Sequence, residues 1–539
     1  MSFNIADTLE LAVDHYRERD YLICDNKRRT YGQMEDRANQ LAHHLQSLNI
    51  GFQDHIGIYG LNCVEWVESM WAALKIRSIY VNINYRFVAD ELAYMFDNAD
   101  LKVLIVQRQF LPLVNQLKGT LPKLEHILVI EDGTEINDEA IKINYSEYET
   151  SLVNQSIERD FEPRSENDHY MCYTGGTTGM PKGVVWEHRN VMFALGGGVN
   201  QMTQEPVDTP QEIIDRGIDK YDAVMSIAPL MHGATQWCCL SRAFEGNKVI
   251  IMSKFEPKGI WQLIEKEKVN STFIVGDAMA RPMIESYNLF KMKPDTSSMF
   301  ILVSSGAIFS PTIKDQYLEA FPNWIIVDSI GATEVGGTGM TIVEKGKTEM
   351  SGGGPTVTPI SGTVVLDEKT LQLCKAGDGK IGKIARTGFI PVEYYKDPEK
   401  SAATFITAAN GLRYSMPGDF AQIQTDGRIT ILGRGSVSIN SGGEKIFPEE
   451  VEAAAKAHAD IFDCVVVGVP DEKWGSRVVL VASARGSEQP DLNEIQKHCR
   501  TKIAGYKIPR EVHYVDRVPR NPAGKPNYKW AKEVAMLER

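Results

Sequence analysis

The densest chemistry in the chain lies in Tyr173-Thr174-Gly175-Gly176-Thr177-Thr178-Gly179-Met180-Pro181-Lys182-Gly183. Glycine lets backbone approach a ligand closely and take positive φ, so successive peptide N–H groups can form a nest for an anion. Threonine hydroxyls donate to phosphate oxygens, and Lys182 adds a mobile point charge. Each part of a polyphosphate cradle is therefore present. It is not a Walker A loop, which needs G-x-x-x-x-G-K-[ST]. The chain's one Gly-Lys-Thr is Gly346-Lys347-Thr348, and Thr341 stands where the first glycine would be, so a P-loop ATPase is unsupported. Elsewhere, Asp419 and Arg434 flank a predicted hairpin (FAQIQTDGRITIL) and can face one ligand, a carboxylate suiting a vicinal diol and a guanidinium a ribose or phosphate. His232, in PLMHGA, follows an apolar run, and Lys525 sits in the Pro/Gly loop NPAGKPN.

Such residues need strands that end in loops. Short β-branched segments, such as HIGIYGLN (55–62), SIYVNIN (78–84) and KVLIVQ (102–107), alternate with amphipathic stretches such as MEDRANQLAHHLQSL (34–48). The pattern returns through AVMSIAPL, KVIIM, STFIVG, FILVSS and WIIVDSIG. This alternation predicts an α/β fold: parallel-type sheets flanked by helices, with ligands at strand ends. After about residue 350 the strands shorten and turn signals multiply, which predicts a small antiparallel, barrel-like unit. A Gly/Ser-rich stretch, GRGSVSINSGG (433–443), precedes a fresh helix and two strands. It marks a hinge between an N-terminal domain, 1–435, and a small mobile α+β C-terminal domain, 436–539.

With 539 residues, 43% of them hydrophobic, the chain can bury several cores, which excludes disorder, collagen and a mini-scaffold. A net charge of −13 argues against nucleic acid and anionic membranes as partners, although the stretch 504–539 is locally basic. The eight cysteines are scattered without a C-x-x-C pair, as in a reducing cytoplasm. The N-terminus lacks a secretory pattern, and no run approaches the ~20 apolar residues of a membrane span.

YTGGTTGMPKG resembles the phosphate loop of the adenylate-forming superfamily: acyl-CoA synthetases, luciferases and peptide-synthetase adenylation domains. Further segments resemble that family's motifs in the family's order. Ser305-Gly306-Ala307 is similar to its adenine-contacting turn. Asp328-Ser329-Ile330-Gly331-Ala332-Thr333-Glu334 is similar to the segment in which a threonine touches phosphate and a glutamate holds Mg²⁺. Asp419 matches the ribose-binding carboxylate and Arg434 the hinge arginine. Ser441-Gly442-Gly443-Glu444 resembles the CoA-gating loop, and Lys525 the catalytic lysine.

The resemblance implies an ATP-dependent carboxylate–CoA ligase that forms acyl-AMP and pyrophosphate, then acyl-CoA and AMP, with ATP, Mg²⁺ and coenzyme A as cofactor and co-substrates. Thr174, Thr177, Thr178 and Lys182 would hold the β and γ phosphates, Thr333 the α phosphate, and Glu334 Mg²⁺. Lys525 would neutralise the bridging charge, and His232 would lie beside the substrate carboxylate.

Three residues depart from the family pattern: Ile330 where an aromatic ring usually stacks on adenine, Ser436 at the hinge, and Asn440 where many members carry lysine. The segments Val275-Gly276-Asp277-Ala278 and PLMHGATQW resemble bacterial ligases that activate steroid side-chain carboxylates. Gly276, Asp277, Ala278, Trp237, Gly331 and Ala332 then line the acyl pocket, for a bulky alicyclic acid or a medium- or long-chain fatty acid. A stand-alone enzyme loading a carrier-protein thiol, and a nucleotide-binding protein without turnover, are the competing readings. Homodimerisation is left open.

Overall fold

The computed structural model describes the chain except residues 1, 175–179, 201–202, 308, 345–354, 442–443, 472–474, 521–523 and 538–539, and except the side chains of 434, 436, 440, 444 and 445. Two compact units result. The first comprises Met1–Glu256, Glu265–Thr272 and Phe389–Phe405; the second comprises Pro257–Ile264, Phe273–Gly388 and Ile406–Arg539.

In the first unit, five strands pair in the order Ile79–Ile83, His55–Tyr59, Leu101–Gln107, His126–Ile130, Ser146–Glu147, all parallel. The first two of these are buried at every position, as continuous apolar runs in a parallel sheet must be. Helix Val64–Lys75 is also buried along its whole length. Its charged residues are matched there: Glu65 by Lys27, Glu68 by Arg29 and Arg37, Lys75 by Glu10 and Glu35. A second group carries Asp20–Cys24, Lys248–Ile251 and Ala223–Ser226 in parallel. A third is antiparallel, with Lys182–Glu187 between Glu393–Tyr394 and His169–Thr174.

In the second unit, Ile301–Ser304 lies parallel to Ile325–Ala332, which turns back antiparallel into Gly336–Val343. The run continues through Thr356–Pro359, Ile429–Arg434, Asp419–Ile423, Ile381–Thr387 and Arg413–Ser415. The expected barrel-like unit is therefore corrected to an open sheet. Thr356–Pro359 spends its second edge on Gly336–Val343, so among the described residues no strand returns to close a barrel.

Residues 439–535 of this unit carry cores of their own. Ile461–Asp471 pairs antiparallel with Gly475–Ala484, and Glu511–Tyr514 lies parallel to the latter. Alternate residues split between two faces: Cys464, Val466, Val478 and Leu480 pack in one core, and Val465, Val467, Val479 and Val481 in another. This is the period-2 signature of a sheet covered on both sides. Among the described residues no helix is long and apolar enough to cross a membrane. None of the eight cysteines stands in a disulfide.

Candidate functional site

In the first unit the phosphate-loop sequence joins a hairpin. Its register sets Thr174 opposite Lys182, so the two stand side by side at the ends of the strands. Gly175, Gly176, Thr177 and Thr178, between them, lie outside the described residues. The adjoining Gly183 is required by close packing: a Cβ there would lie 2.7 Å from Met171 Sδ. Lys182, 38% exposed, makes an ion pair with Asp397, the N-cap of helix Pro398–Thr404. Its ammonium holds the Asp397 carboxyl below the usual carboxylate range.

His232 occupies the position before helix Gly233–Phe244 and is half-buried. Three buried amides that sequence reasoning missed fix the segment leading to it. Asn62 donates to the Ala228 carbonyl (3.2 Å) and accepts from the Leu230 N–H (2.6 Å). Gln236 donates to the Leu230 carbonyl (2.8 Å) and accepts from Tyr80 and Tyr170 hydroxyls. Asn82 donates to the Met231 (2.7 Å) and Tyr173 (2.9 Å) carbonyls and accepts from the Tyr173 N–H (2.8 Å). It thus ties the residue before His232 to the residue before Thr174. Trp237 is buried in this unit's core, edge-on to Tyr170.

In the second unit, three segments that are remote in sequence converge. Gly524 has φ +67°, and a Cβ on it would meet Ala278 Cβ at 3.1 Å, Ala307 Cβ at 3.2 Å and Val275 Cγ1 at 3.3 Å. The residue preceding Lys525 therefore rests on the predicted adenine turn and on the predicted acyl-pocket segment. The Gly276 N–H donates to Ser304 Oγ (3.1 Å) and the Ser305 N–H to the Ile274 carbonyl (3.2 Å), which fix both segments. Gly306 has φ +82°. Asp277 accepts from the Ser310 N–H (2.8 Å) and lies 3.6 Å from Arg281, so its carboxylate is engaged within the protein.

Asp328 is buried and paired with Lys314. Burial raises its pKa against the pull of that ammonium. Ser329 Oγ donates to the Ser304 carbonyl at 3.4 Å, and the Ile330 carbonyl accepts from Thr338 Oγ1 at 3.1 Å. At Gly331 a Cβ would sit 2.4 Å from the Gly336 carbonyl oxygen, so only glycine allows the hairpin to close beyond Ala332. Thr333 and Glu334 occupy the turn of that hairpin. Ser415 Oγ donates to the Glu334 carbonyl (2.5 Å), and Arg386 Nη1 to the Val335 (2.8 Å) and Gly337 (2.9 Å) carbonyls. Neither Ser415 nor Arg386 was found from sequence. Asp419 stands opposite Arg434 in register, as the predicted hairpin requires, and Ser441 stands opposite Glu444. Gly442 and Gly443 lie outside the described residues. No cluster of three His, Cys, Asp or Glu suited to a metal occurs among the described residues. A site with one carboxylate, Glu334, fits Mg²⁺ carried in on nucleotide phosphates, since that ion keeps most of its water.

The pattern described as AMP-binding enzyme matches residues 9–389, and that described as AMP-binding enzyme C-terminal domain matches 450–525. The chain belongs to the AMP-binding enzyme family. Among members, it is 48% identical to a 3-oxocholest-4-en-26-oate–CoA ligase of Rhodococcus rhodochrous, over 100% of this chain and 97% of that one. It is 45% identical to a medium/long-chain-fatty-acid–CoA/3-oxocholest-4-en-26-oate–CoA ligase of Mycolicibacterium smegmatis, over 99% of this chain and 97% of that one. The family fold is confirmed by the anthranilate CoA ligase AuaEII in complex with anthranoyl-AMP, with a TM-score of 0.83 at 24% identity over 99% of this chain and 97% of that one. ATP-bound MatB from Rhodopseudomonas palustris gives 0.82 at 20% identity, over 99% of both chains.

Proposed function

We propose that this enzyme activates a steroid side-chain carboxylate or a medium- to long-chain fatty acid. It is an AMP-forming acyl-CoA ligase, using ATP, Mg²⁺ and CoA. The observation that carries the reading is the 48% identity across the whole chain to a ligase of a steroid side-chain acid.

Acyl-adenylate formation drives a carboxylate against the α phosphate, so two anions must meet and charge grows on the phosphoryl oxygens. Prepositioned cations and donors are what lowers that barrier. Thr174 and Lys182 take the β and γ phosphates together with the loop residues between them, Thr333 the α phosphate, and Glu334 Mg²⁺, which neutralises phosphate charge when bound. Asp419 and Arg434 take the ribose, and 305–307 with 328–332 take adenine, Ile330 supplying an aliphatic face in place of a ring. His232 orients the acid's carboxylate, and Gly276, Ala278 and Ala332 leave room for a wide acyl group, Gly331 holding the close hairpin beside them. Lys525 serves the first half-reaction. Residues 436–539 form the lid domain, a boundary supported by their separate cores and by the C-terminal family match at 450–525. Ser441 to Glu444 then serve the passage of the CoA thiol. Cysteines outside any disulfide fit a cytoplasmic enzyme; whether two copies pair is read by sedimentation velocity.

The test is a panel of fatty, aromatic and steroid carboxylates, with ATP and CoA, read as AMP release and thioester. Turnover is expected with 3-oxocholest-4-en-26-oate or with C8–C18 acids. Transfer to a carrier-protein thiol in place of CoA, or nucleotide binding without pyrophosphate release across the panel, overturns the reading.

A further inference from the structure

The loop that presents Lys525 is closed at its base by one side chain. Arg520 and Pro526 form an isolated β-bridge, and Arg520 Nη1 donates to the carbonyl of Gly524, the residue before the lysine, at 2.9 Å. The rest of the guanidinium faces inward. Its Nε and Nη2 donate to the two oxygens of Asp463 at 2.6 and 2.7 Å, and Nη2 also reaches the Cys464 carbonyl at 3.3 Å. A bidentate pair of this kind fixes the plane of the guanidinium as well as its position.

Asp463 is itself anchored, by Lys456 at 3.0 Å from helix Pro448–Lys456. Glu452, on the same helix and 1% exposed, accepts from the Val466 N–H at 3.0 Å. Burial opposes charge throughout this cluster, yet Lys456 and Arg520 keep the Asp463 carboxyl well below the usual carboxylate range. One end of the Arg520 guanidinium is thus locked in a charged core and the other holds a single backbone carbonyl. The Gly524 so held has φ +67° and packs on Ala278, Ala307 and Val275.

We infer that Arg520 is a positioning residue for Lys525. By fixing the Gly524 carbonyl against the buried Asp463–Lys456 pair, it sets the direction in which the lysine leaves its loop. This rests on the reading of Lys525 as the lysine of acyl-adenylate formation. The contacts of Arg520 are to Asp463, Cys464 and Gly524, so its effect passes through the loop.

The consequence is selectivity between half-reactions. Removing Arg520 should impair the step that uses Lys525 and spare the step that does not. Full-length Arg520→Met, Arg520→Lys and Lys525→Ala are compared in two assays. One is single-turnover pyrophosphate release without CoA, using dodecanoate or 3-oxocholest-4-en-26-oate, whichever is turned over. The other is acyl-CoA formation from CoA and the synthetic adenylate of the same acid. Arg520→Met is expected to slow adenylation at least 20-fold, in kcat more than in KM for ATP, with thioester formation within twofold of wild type. Arg520→Lys should remain slow, because a point ammonium cannot hold both carboxylate oxygens and the Gly524 carbonyl at once. It also keeps a cation beside Asp463, so it carries the comparison should the methionine variant not fold. Unchanged adenylation, or both half-reactions falling in proportion, overturns the inference. Lys525→Ala separates the two claims: if it adenylates at the wild-type rate, the lysine reading fails whatever Arg520 does.

Discussion

Arg386→Met is the substitution in which stability and catalysis should part most clearly. Arg386 is 5% exposed, and no carboxylate among the described residues pairs with it. Its two hydrogen bonds to the Val335 and Gly337 carbonyls come from a charged donor, worth about 1.5–3 kcal/mol each, so about 3–6 together. Against this, burial pushes the guanidinium pKa down to about 10. That depression corresponds to about 3 kcal/mol against the charged form. The burial cost offsets at least half of the hydrogen-bond gain, and a methionine of similar reach fills the volume without a charge. The net loss of folding stability should therefore be no more than about 3 kcal/mol. The catalytic effect is not offset. Arg386 stands opposite Ser415 in register, and the two side chains hold the carbonyls of 334, 335 and 337, so they clamp the turn that carries Thr333 and Glu334. A displacement of about 1 Å in a positioning element can cost on the order of 100-fold in rate. The assay pairs urea unfolding with MgATP–pyrophosphate exchange. The expected result is a modest stability loss with exchange lowered about 100-fold and a shifted Mg²⁺ requirement. A folded variant that has lost more than about 4 kcal/mol yet exchanges within threefold of wild type would refute the reasoning, and Arg386 would be scaffold only.

Asp397→Asn should release Lys182 for phosphate and lower the KM for MgATP by up to about fivefold, the range of an exposed ion pair; a raised KM in substrate titration would contradict this. Gly524→Ala introduces a Cβ 3.1 Å from Ala278 and 3.2 Å from Ala307 at a residue with φ +67°. It should slow pyrophosphate release about tenfold by lifting the loop, a penalty in the range of modest strain; an unchanged rate would show that the loop need not rest there. His188 is buried, accepts from the Ile5 N–H at 3.4 Å, and has its pKa pushed down by burial from 6.5 to about 4, opposed by Asp168 and a hydrogen bond with the His169 backbone, with the charges of His169 and Arg164 adding to the shift. The unfolded chain then binds the extra proton, so its contribution is complete above pH 6.5 and is lost as pH falls toward 4, about 3 kcal/mol in all. His188→Gln should flatten the unfolding free energy over that window, and an unaltered slope would assign the acid sensitivity to other groups.

The pairing of the candidate site residues at strand ends was legible in the sequence because residue type and local strand pattern coincide there. Thr174 and Lys182 fall opposite each other because the segments flanking the glycines alternate as strands, and Asp419 and Arg434 do so across a turn of Asp, Gly and Arg. The antiparallel unit shows the limit of that logic. Short strands and turn signals predict pairing, but closure depends on which edges remain free, and the edge of Thr356–Pro359 is taken by a strand that the local pattern does not name. Asn82 left a trace that could have been followed. An amide in the middle of SIYVNIN, a run with the pattern of a buried strand, must find partners, and the partners available at such depth are backbone carbonyls of neighbouring loops. Asp277 and Asp328 mark the converse: acidic residues next to pocket-like sequence whose carboxylates are engaged by Ser310 and Lys314.

Arg520 and Lys525 carry the same formal charge five positions apart in one Pro/Gly-rich segment, and composition assigns both to a solvated loop. What separates them is where the charge can be balanced. Arg520 turns toward Asp463, whose carboxylate is already fixed by Lys456, and five planar donors let it satisfy that carboxylate and a loop carbonyl at once. Lys525 has a flexible stem and a single head group, suited to reaching a ligand. Burial of the first charge gives the loop a rigid base and leaves the second at its exit. On the proposed reading of Lys525, a guanidinium fixed behind the lysine is one physical solution to presenting a cation for one step of a two-step reaction. It requires that the anchor travel with the loop, and Asp463, Lys456 and Arg520 all fall within residues 436–539, so if that segment is the lid domain proposed above, its movement as a body would leave the anchor intact.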